Sequence, residues 1–374
     1  MAVYYKTAET LKPGAQTLSG KYYVSADIYG LEQERIFSQT WLCMGRAAEI
    51  ARPGEYLVRQ VGQESILLVR DRLGQIHAFY NVCRHRGSRL CTQETGKFGA
   101  SIQCPYHAWT YNLRGELIGA PLMDEVDGFQ RADYPLHTIH TAQWEGFIFV
   151  NLADDPEPFE QAFSPLIDKF SAWNLPSLVS IRRIDYLIKA NWKLIVQNYS
   201  ECYHCPLIHP DLVRLTPYRS GQNDFFEGPY LGGFMELHEG VESMTMSGRI
   251  CATPVGAFTG EELSRIAYYA IFPTLLLSLH QDYVMFHTLW PVAPGETQIT
   301  CEWLFAPHAL KASDFNPDDA VAFWDMTNRQ DWQACEMTQL GVSSRSYSPA
   351  PYSSAESLLA SFDEEYLKRI SAAT

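Results

Sequence analysis

Two cysteines and two histidines between Asn81 and Tyr111 stand as Cys83-x-His85 and, eighteen residues later, Cys104-x-x-His107. Two soft thiolates and two imidazoles on two short loops make a metal site by ligand type alone. Each half of the pattern pairs one Cys with one His. A [2Fe–2S] cluster takes two protein ligands on each iron, and giving one iron both thiolates and the other both imidazoles produces a Rieske-type centre with a raised potential. A Cys2His2 zinc site uses the same residue types, but usually as a Cys pair followed by a His pair.

A second constellation is Glu201-x-x-His204-x-x-x-x-His209. Two histidines and a carboxylate on one face of an octahedron are the ligand set of mononuclear non-haem Fe(II) sites, which leave positions open for O2. Pro206 gives the chain a reason to leave the helix between the histidines, so that both can reach one metal. Two histidines five apart say little by themselves; beside an electron-transfer cluster they matter, because a cluster needs an acceptor. Cys202 and Cys205 spell the dithiol pattern C-x-x-C. With His204 assigned to a metal, they read as packing residues.

Other chemistries are absent from the pattern. GKFGAS lacks the upstream glycine of a phosphate loop, and no strand–GxGxxG–helix unit occurs, so neither NAD(P)H nor flavin is expected on this chain. Electrons must then come from a separate reductase. A net charge of −14 disfavours nucleic acid. An acidic entrance would attract a cationic substrate, although solubility is the plainer explanation of the charge. The first twenty residues lack a basic and then apolar leader, and no apolar run is long enough to span a membrane. Seven of the nine cysteines lie outside the cluster motif without scaffold spacing, which suits reduced thiols in the cytoplasm.

These residues need elements to position them. Residues 1–40 form an arm with one helical stretch, in which Ile28, Leu31, Ile36 and Phe37 approximate one face and Glu32, Glu34 and Arg35 fall on the other. From 41 to 155, short β-branched and aromatic runs such as YLVRQVG, SILLVRD and EGFIFVNL alternate with turn signals. That predicts an all-β module with the metal loops at hairpin tips. Pro156 and Pro158 mark its exit into a second domain, 156–374. There, PFEQAFSPLIDKFSAWNL predicts a helix, 211–260 predicts loops with short strands, and 268–307 predicts successive antiparallel strands. A long helix follows, opened by Pro317 and stopped near Gly341. The fold class is α+β: an all-β Rieske domain plus an antiparallel sheet gripping a long helix.

The run CRHRG…CPYHAW resembles the cluster loops of Rieske non-haem iron oxygenases, and NYSECYHCPLIHPDL resembles their iron motif. The resemblance implies Cys83, His85, Cys104 and His107 as cluster ligands, with Gly87 and Pro105 shaping the turns and Tyr106 and Trp109 shielding the cluster. It implies His204 and His209 as iron ligands, with Asp331 as the best match to the closing carboxylate; Asp325 and Glu336 lie on the same helix. Glu201 matches an acid that bridges electrons between subunits, and Asn198 falls near the iron. FMELHEGVESMTMSGR, LLLSLHQDYVMFHTLWP and FWDMTNRQDWQACE resemble the branch acting on quaternary ammonium compounds. For that branch the implied reaction is hydroxylation of an N-methyl group, most simply of glycine betaine, releasing formaldehyde. Choline, carnitine, a proline betaine or an aromatic acid are alternatives. A permanent cation is held best by aromatic faces, and Phe225, Phe226, Tyr230, Phe234, Tyr283, Phe286 and Trp290 are candidate walls. His238, Arg249 or His287 could meet a carboxylate. The family also implies a head-to-tail homotrimer and an NAD(P)H-dependent flavin/iron–sulfur reductase.

Overall fold

A computed structural model describes residues 3–372. They form two compact units: Phe37–Ala162, and a larger one joining the chain up to Ile36 with the chain from Phe163 onward. The sequence signals lie a few residues from these divisions. The indole of Trp41 donates to Glu157 O (2.9 Å) and meets Phe159 edge-on, which keeps the segment after Pro156 with the smaller unit.

The N-terminal arm supplies β1 (Tyr5–Lys6), α1 (Lys21–Val24) and α2 (Ala26–Glu32) to the larger unit. Ser25 caps α2 by accepting from Ile28 N. Glu32, which the sequence puts on the face opposite the apolar residues, does not reach solvent. It is fully buried, because the arm folds onto the larger unit at its last turn and the carboxylate is enclosed by Trp192, Lys193 and Tyr366.

The smaller unit contains β2 (Leu42–Arg46), β3 (Glu55–Val61), β4 (Glu64–Arg70), β5 (Ile76–Tyr80), β6 (Thr95–Lys97), β7 (Ser101–Gln103), β8 (Thr110–Asn112), β9 (Leu117–Gly119), β10 (Thr138–Trp144), β11 (Phe147–Asn151) and the short helix α3 (Phe159–Ala162). Its strands build a sheet of order β2-β11-β10-β5-β4-β3-β6 and a smaller one of order β7-β8-β9. Leu67, Phe79, Ile102 and Tyr111 pack in one apolar cluster with Cys83, Cys104 and Trp109, so both thiols stand on the core's edge. Only the second metal loop is a hairpin tip, between the paired strands β7 and β8. The first spans β5 to β6, which pair with other strands.

The larger unit continues with β12 (Val179–Ile188), α4 (Trp192–Tyr199), α5 (Cys205–Ile208), α6 (Pro210–Leu215), β13 (Gln222–Glu227), β14 (Tyr230–Glu236), β15 (Arg265–Ile271), β16 (Leu275–Leu279), β17 (Val284–Ala293), β18 (Glu296–Phe305), α7 (Pro317–Val342) and α8 (Ser357–Ser371). Its antiparallel sheet runs β1-β13-β14-β15-β16-β17-β18-β12. Helix α7 begins with Pro317, Asp318 and Asp319, which suit the N–H-rich end of a helix. It packs on the sheet through Tyr186, whose hydroxyl donates to Asp325 (2.7 Å) and whose ring meets Trp332. The predicted helix over 158–175 is the single turn α3 followed by short 3-10 turns, since Pro165 interrupts the backbone ladder. No helix of the described residues is long and apolar enough to cross a membrane.

Candidate active site

The two Cys/His loops share one backbone device. Cys83 O accepts from Gly87 N (3.0 Å) and Cys104 O from Ala108 N (3.1 Å). In both loops the residue four after the cysteine has a positive φ, +71° at Gly87 and +56° at Ala108. At Gly87 this suits the residue; Ala108 bears the strain of a left-handed conformation with a side chain. The loops bring the His85 and His107 rings to 4.6 Å between centroids. Trp109, buried, stacks on His85 at 4.9 Å, while Tyr106 covers His107 at 3.7 Å with its outer face in solvent. Burial raises the Cys83 thiol, and the Tyr111 hydroxyl, 3.4 Å from its sulfur, opposes that rise. His85 Nδ1 is buried without a hydrogen-bond partner, as expected of a nitrogen placed for a metal. Partial desolvation, then the neighbouring His107 and Arg86, lowers the His85 pKa and favours the neutral, ligand-competent imidazole.

In the larger unit, α4 is started by Asn191, which accepts from Lys193 N, and ends at Tyr199. The chain then turns through Ser200–His204 into α5. Pro206 occupies the first turn of α5, where its missing N–H is harmless, and Pro210 holds His209 out of the helical region (ψ 69°). The break that lets the histidines meet therefore falls at His209, and Pro206 starts a helical turn where the sequence reading had it ending one.

His204 Nε2 and His209 Nε2 lie 3.2 Å apart, and Asp331 Oδ1 lies 3.3 Å from the first and 2.9 Å from the second. Edges near 3 Å are what metal–ligand bonds of about 2.1 Å meeting at right angles require. Three donors so placed form one face of an octahedron. Of the candidate acids on α7, Asp331 is the one that reaches the histidines. Asp325 is engaged by Tyr186 and Arg329, and Glu336 accepts from Lys189 N. Behind the donors, His209 Nδ1 donates to Gln330 Oε1 (2.7 Å), and His204 Nδ1 is hydrogen-bonded to Glu201 Oε1. Such partners fix the ring tautomer and point each Nε2 lone pair at the metal position. Burial lowers His204, but hydrogen bonds to Asp331 and Glu201 outweigh it and lift the imidazole to about 10, so iron binding at Nε2 would displace a proton.

A cavity of about 600 Å³ opens from these donors. Asn198, Glu201, Tyr199, Tyr268, Trp324 and Phe234 are among its lining residues. Residues 175–372 match the family described as ring hydroxylating alpha subunit (catalytic domain), and residues 40–130 match the Rieske [2Fe-2S] domain.

The chain belongs to the Rieske oxygenase alpha-subunit family.

The glycine betaine monooxygenase oxygenase subunit of Chromohalobacter salexigens is 33% identical over 93% of this chain and 84% of that protein. The carnitine monooxygenase oxygenase subunit of Acinetobacter baumannii is 34% identical over 54% of this chain and 56% of its own. A crystal structure of a quaternary ammonium Rieske monooxygenase with an inhibitor superposes with a TM-score of 0.80 at 23% identity, covering 95% of each chain. Family membership brings a Rieske [2Fe–2S] cluster and a mononuclear non-haem iron, and both donor sets of this oxygenase subunit fit those groups.

Of the aromatic residues singled out in the sequence, only Phe234 lines the cavity. Phe225 lies under Lys169 Nζ (4.7 Å), Phe226 meets Tyr5, Tyr230 meets Phe163, Phe286 is fully buried, and Trp290 stands outside the lining. Tyr283 acts one layer back: its hydroxyl accepts from Trp324 Nε1 (2.6 Å) and donates to Met244 O. His238 is 3.2 Å from Val213 O, Arg249 is paired with Glu242, and His287 is buried beside Tyr199 and Trp332. None of these three lines the cavity. Tyr199, Tyr268, Trp324 and Gln330 went unnamed in the sequence reading. The two cysteines read there as reduced packing residues form a Cys202–Cys205 disulfide, because the turn into α5 brings their Cα atoms to 4.9 Å.

Proposed function

We propose that this chain is a terminal oxygenase that hydroxylates an N-methyl group of a quaternary ammonium compound, first of all glycine betaine. The hydroxymethyl amine would collapse to formaldehyde and dimethylglycine. The observation carrying this reading is the cavity wall itself. The rings of Tyr199, Tyr268 and Trp324 stand in a chain, with Tyr268 6.3 Å from Tyr199 and 6.4 Å from Trp324, along a cavity that reaches His204, His209 and Asp331. A cation without hydrogen-bond donors is attracted to such faces. The names of the relatives support the same substrate class.

The side chains suit the task. Tyr199 turns its hydroxyl into the sheet, donating to Leu277 O (2.9 Å), so its ring remains for the cavity. Burial raises both phenols, keeping them neutral. Behind the wall, His280 stacks on Tyr283 at 4.1 Å and lies 5.6 Å from Trp324. Burial drives its pKa well down, so no imidazolium competes with the substrate cation. When bound, the iron supplies O2 activation and the cluster an electron. Glu201 and Gln330 orient the two histidines, and Glu201 is our candidate for the electron bridge to a neighbouring subunit's cluster in a homotrimer. The electrons would come from an NAD(P)H-dependent flavin/iron–sulfur reductase, in the cytoplasm.

The test is a single turnover of pre-reduced, iron-loaded protein with O2 and a panel of glycine betaine, carnitine, choline, a proline betaine and an aromatic acid. Formaldehyde from glycine betaine, matched by dimethylglycine, is the expected result. Cluster oxidation without formaldehyde from any ammonium compound would sink the demethylase reading.

A further inference from the structure

The carboxylate of a betaine needs a cationic partner, and the residues that sequence reasoning offered for it do not reach the cavity. Among the described residues, the Lys and Arg side chains lining it are Lys6 and Arg219. Both are exposed, as residues at a cavity mouth are. The chain pairing brings them to one place. Lys6 of β1 lies opposite Gln222 of β13, and Thr7 Oγ1 donates to Gly221 O (3.4 Å), two residues from Arg219. Tyr218 and Asn223, which flank this stretch, line the same cavity.

Among the described residues neither side-chain cation has a carboxylate partner that a ligand would have to displace. Acidic residues outnumber basic ones by 43 to 29. Some exposed cations are paired, Arg214 with Asp211, Arg249 with Glu242, and Lys12 with Glu227 and Glu364, while others such as Lys21, Lys311 and Arg345 have no ion pair among the described residues. Arg219 rests its guanidinium 5.2 Å from the Tyr218 ring centroid, and among the described residues no carboxylate lies within ion-pair distance of it or of Lys6 Nζ; Glu9 accepts from the Lys6 backbone N–H (2.9 Å). The aromatic faces and the metal donors are the other features of the same cavity. A ligand suited to all three carries a methylated ammonium toward the metal donors and an anionic group toward the mouth.

We propose that Arg219, assisted by Lys6 of the N-terminal strand, binds the substrate carboxylate and makes this oxygenase selective for zwitterionic betaines over alcohols such as choline. The inference rests on the quaternary-ammonium reading and deepens it. A guanidinium presents paired N–H donors to a carboxylate, which an ammonium cannot match, so Arg219 is the main anchor. Charge-assisted hydrogen bonds of this kind correspond to roughly tenfold or more in affinity.

The experiment measures anaerobic binding to the iron-loaded protein by quenching of tryptophan fluorescence, with glycine betaine and choline as the two probes. The wild type should bind glycine betaine at least about tenfold more tightly than choline. Arg219→Gln should lose about tenfold for glycine betaine while its choline affinity stays within about twofold; Lys6→Gln should lose less, and Arg219→Lys should recover part of the loss. Retained choline binding shows that the variant is folded. Raised salt should weaken glycine betaine binding in the wild type more than in Arg219→Gln. Unchanged glycine betaine affinity in Arg219→Gln, or equal losses for both probes, overturns the assignment. A wild type that binds neither probe overturns it together with the substrate class on which it rests.

Discussion

His209 is held from two sides: Nε2 faces Asp331 at 2.9 Å, and Nδ1 donates to Gln330 at 2.7 Å. Removing each neighbour separates ligation from orientation. Asp331→Ala should lower the iron content from about three to about two per chain and leave the cluster's visible absorption intact. Gln330→Leu should keep the three donors but free the His209 tautomer, weakening retention of the mononuclear iron by roughly tenfold to a hundredfold in a chelator titration. If Gln330→Leu retains iron like the wild type, the orienting role fails. Asp331 was legible only through the family resemblance, which puts the closing carboxylate on the long helix; helical spacing by itself left Asp325 and Glu336 equally open. Counting back from it by helical spacing reaches Thr327 and Trp324, both on the cavity wall, so that signal was present and unused. Gln330 is the immediate neighbour of Asp331, about 100° around the helix, and no periodicity assigns it to His209. The aromatic candidates failed for a related reason: abundance in a segment says nothing of which strand face meets the cavity, and a one-residue change of face reverses the answer.

At the scale of elements, α4 carries Asn198 and Tyr199 to the cavity, and its opposite side is fixed by buried polar groups. Lys193 Nζ pairs with Glu32 Oε1 (2.5 Å), and Glu32 also accepts from Trp192 and Tyr366. Gln197 of α4 donates to Asp363 Oδ1 of α8 (2.7 Å), and Tyr352 donates to Asp363 Oδ2 (2.6 Å). None of this could be read from the sequence, where Glu32 and Lys193 fit a solvated face; the arm and α8 cover them only after folding. The contrast with β16 is instructive, since its continuous LLLSL run announces burial whatever packs against it. Burial lifts Asp363 to about 7, against the hydrogen bonds from Tyr352 and Gln197 and the charge of Lys193. The folded chain thus holds a proton that the unfolded chain releases near 3.8. The stability this adds is present in full below that value and is lost as pH rises through about 7. The gap corresponds to at most about 4 kcal/mol. Asp363→Asn cannot titrate, so its denaturation midpoint should rise relative to wild type between pH 5 and pH 8; a constant difference would contradict the assignment.

At the scale of the whole molecule, the question is how an electron from one centre meets chemistry at the other. We propose that Glu201, hydrogen-bonded to His204, receives it from the cluster of a neighbouring copy in a head-to-tail ring of three. Directionality makes this testable without knowing the reductase. A Cys104→Ser chain lacks the cluster but keeps the iron donors; an Asp331→Ala chain lacks the iron but keeps the cluster. Each alone should give no product in a pre-reduced single turnover. Co-expressed with different tags and purified through both, they form rings holding both kinds of chain. Around any such ring the sequence of kinds changes once in each direction, so one junction in three joins an intact cluster to an intact iron site in the productive sense. The mixed rings should therefore yield about one third of the wild-type product per trimer, whichever variant is in the majority. Transfer confined within a chain predicts none, because no chain in the mixture holds both centres.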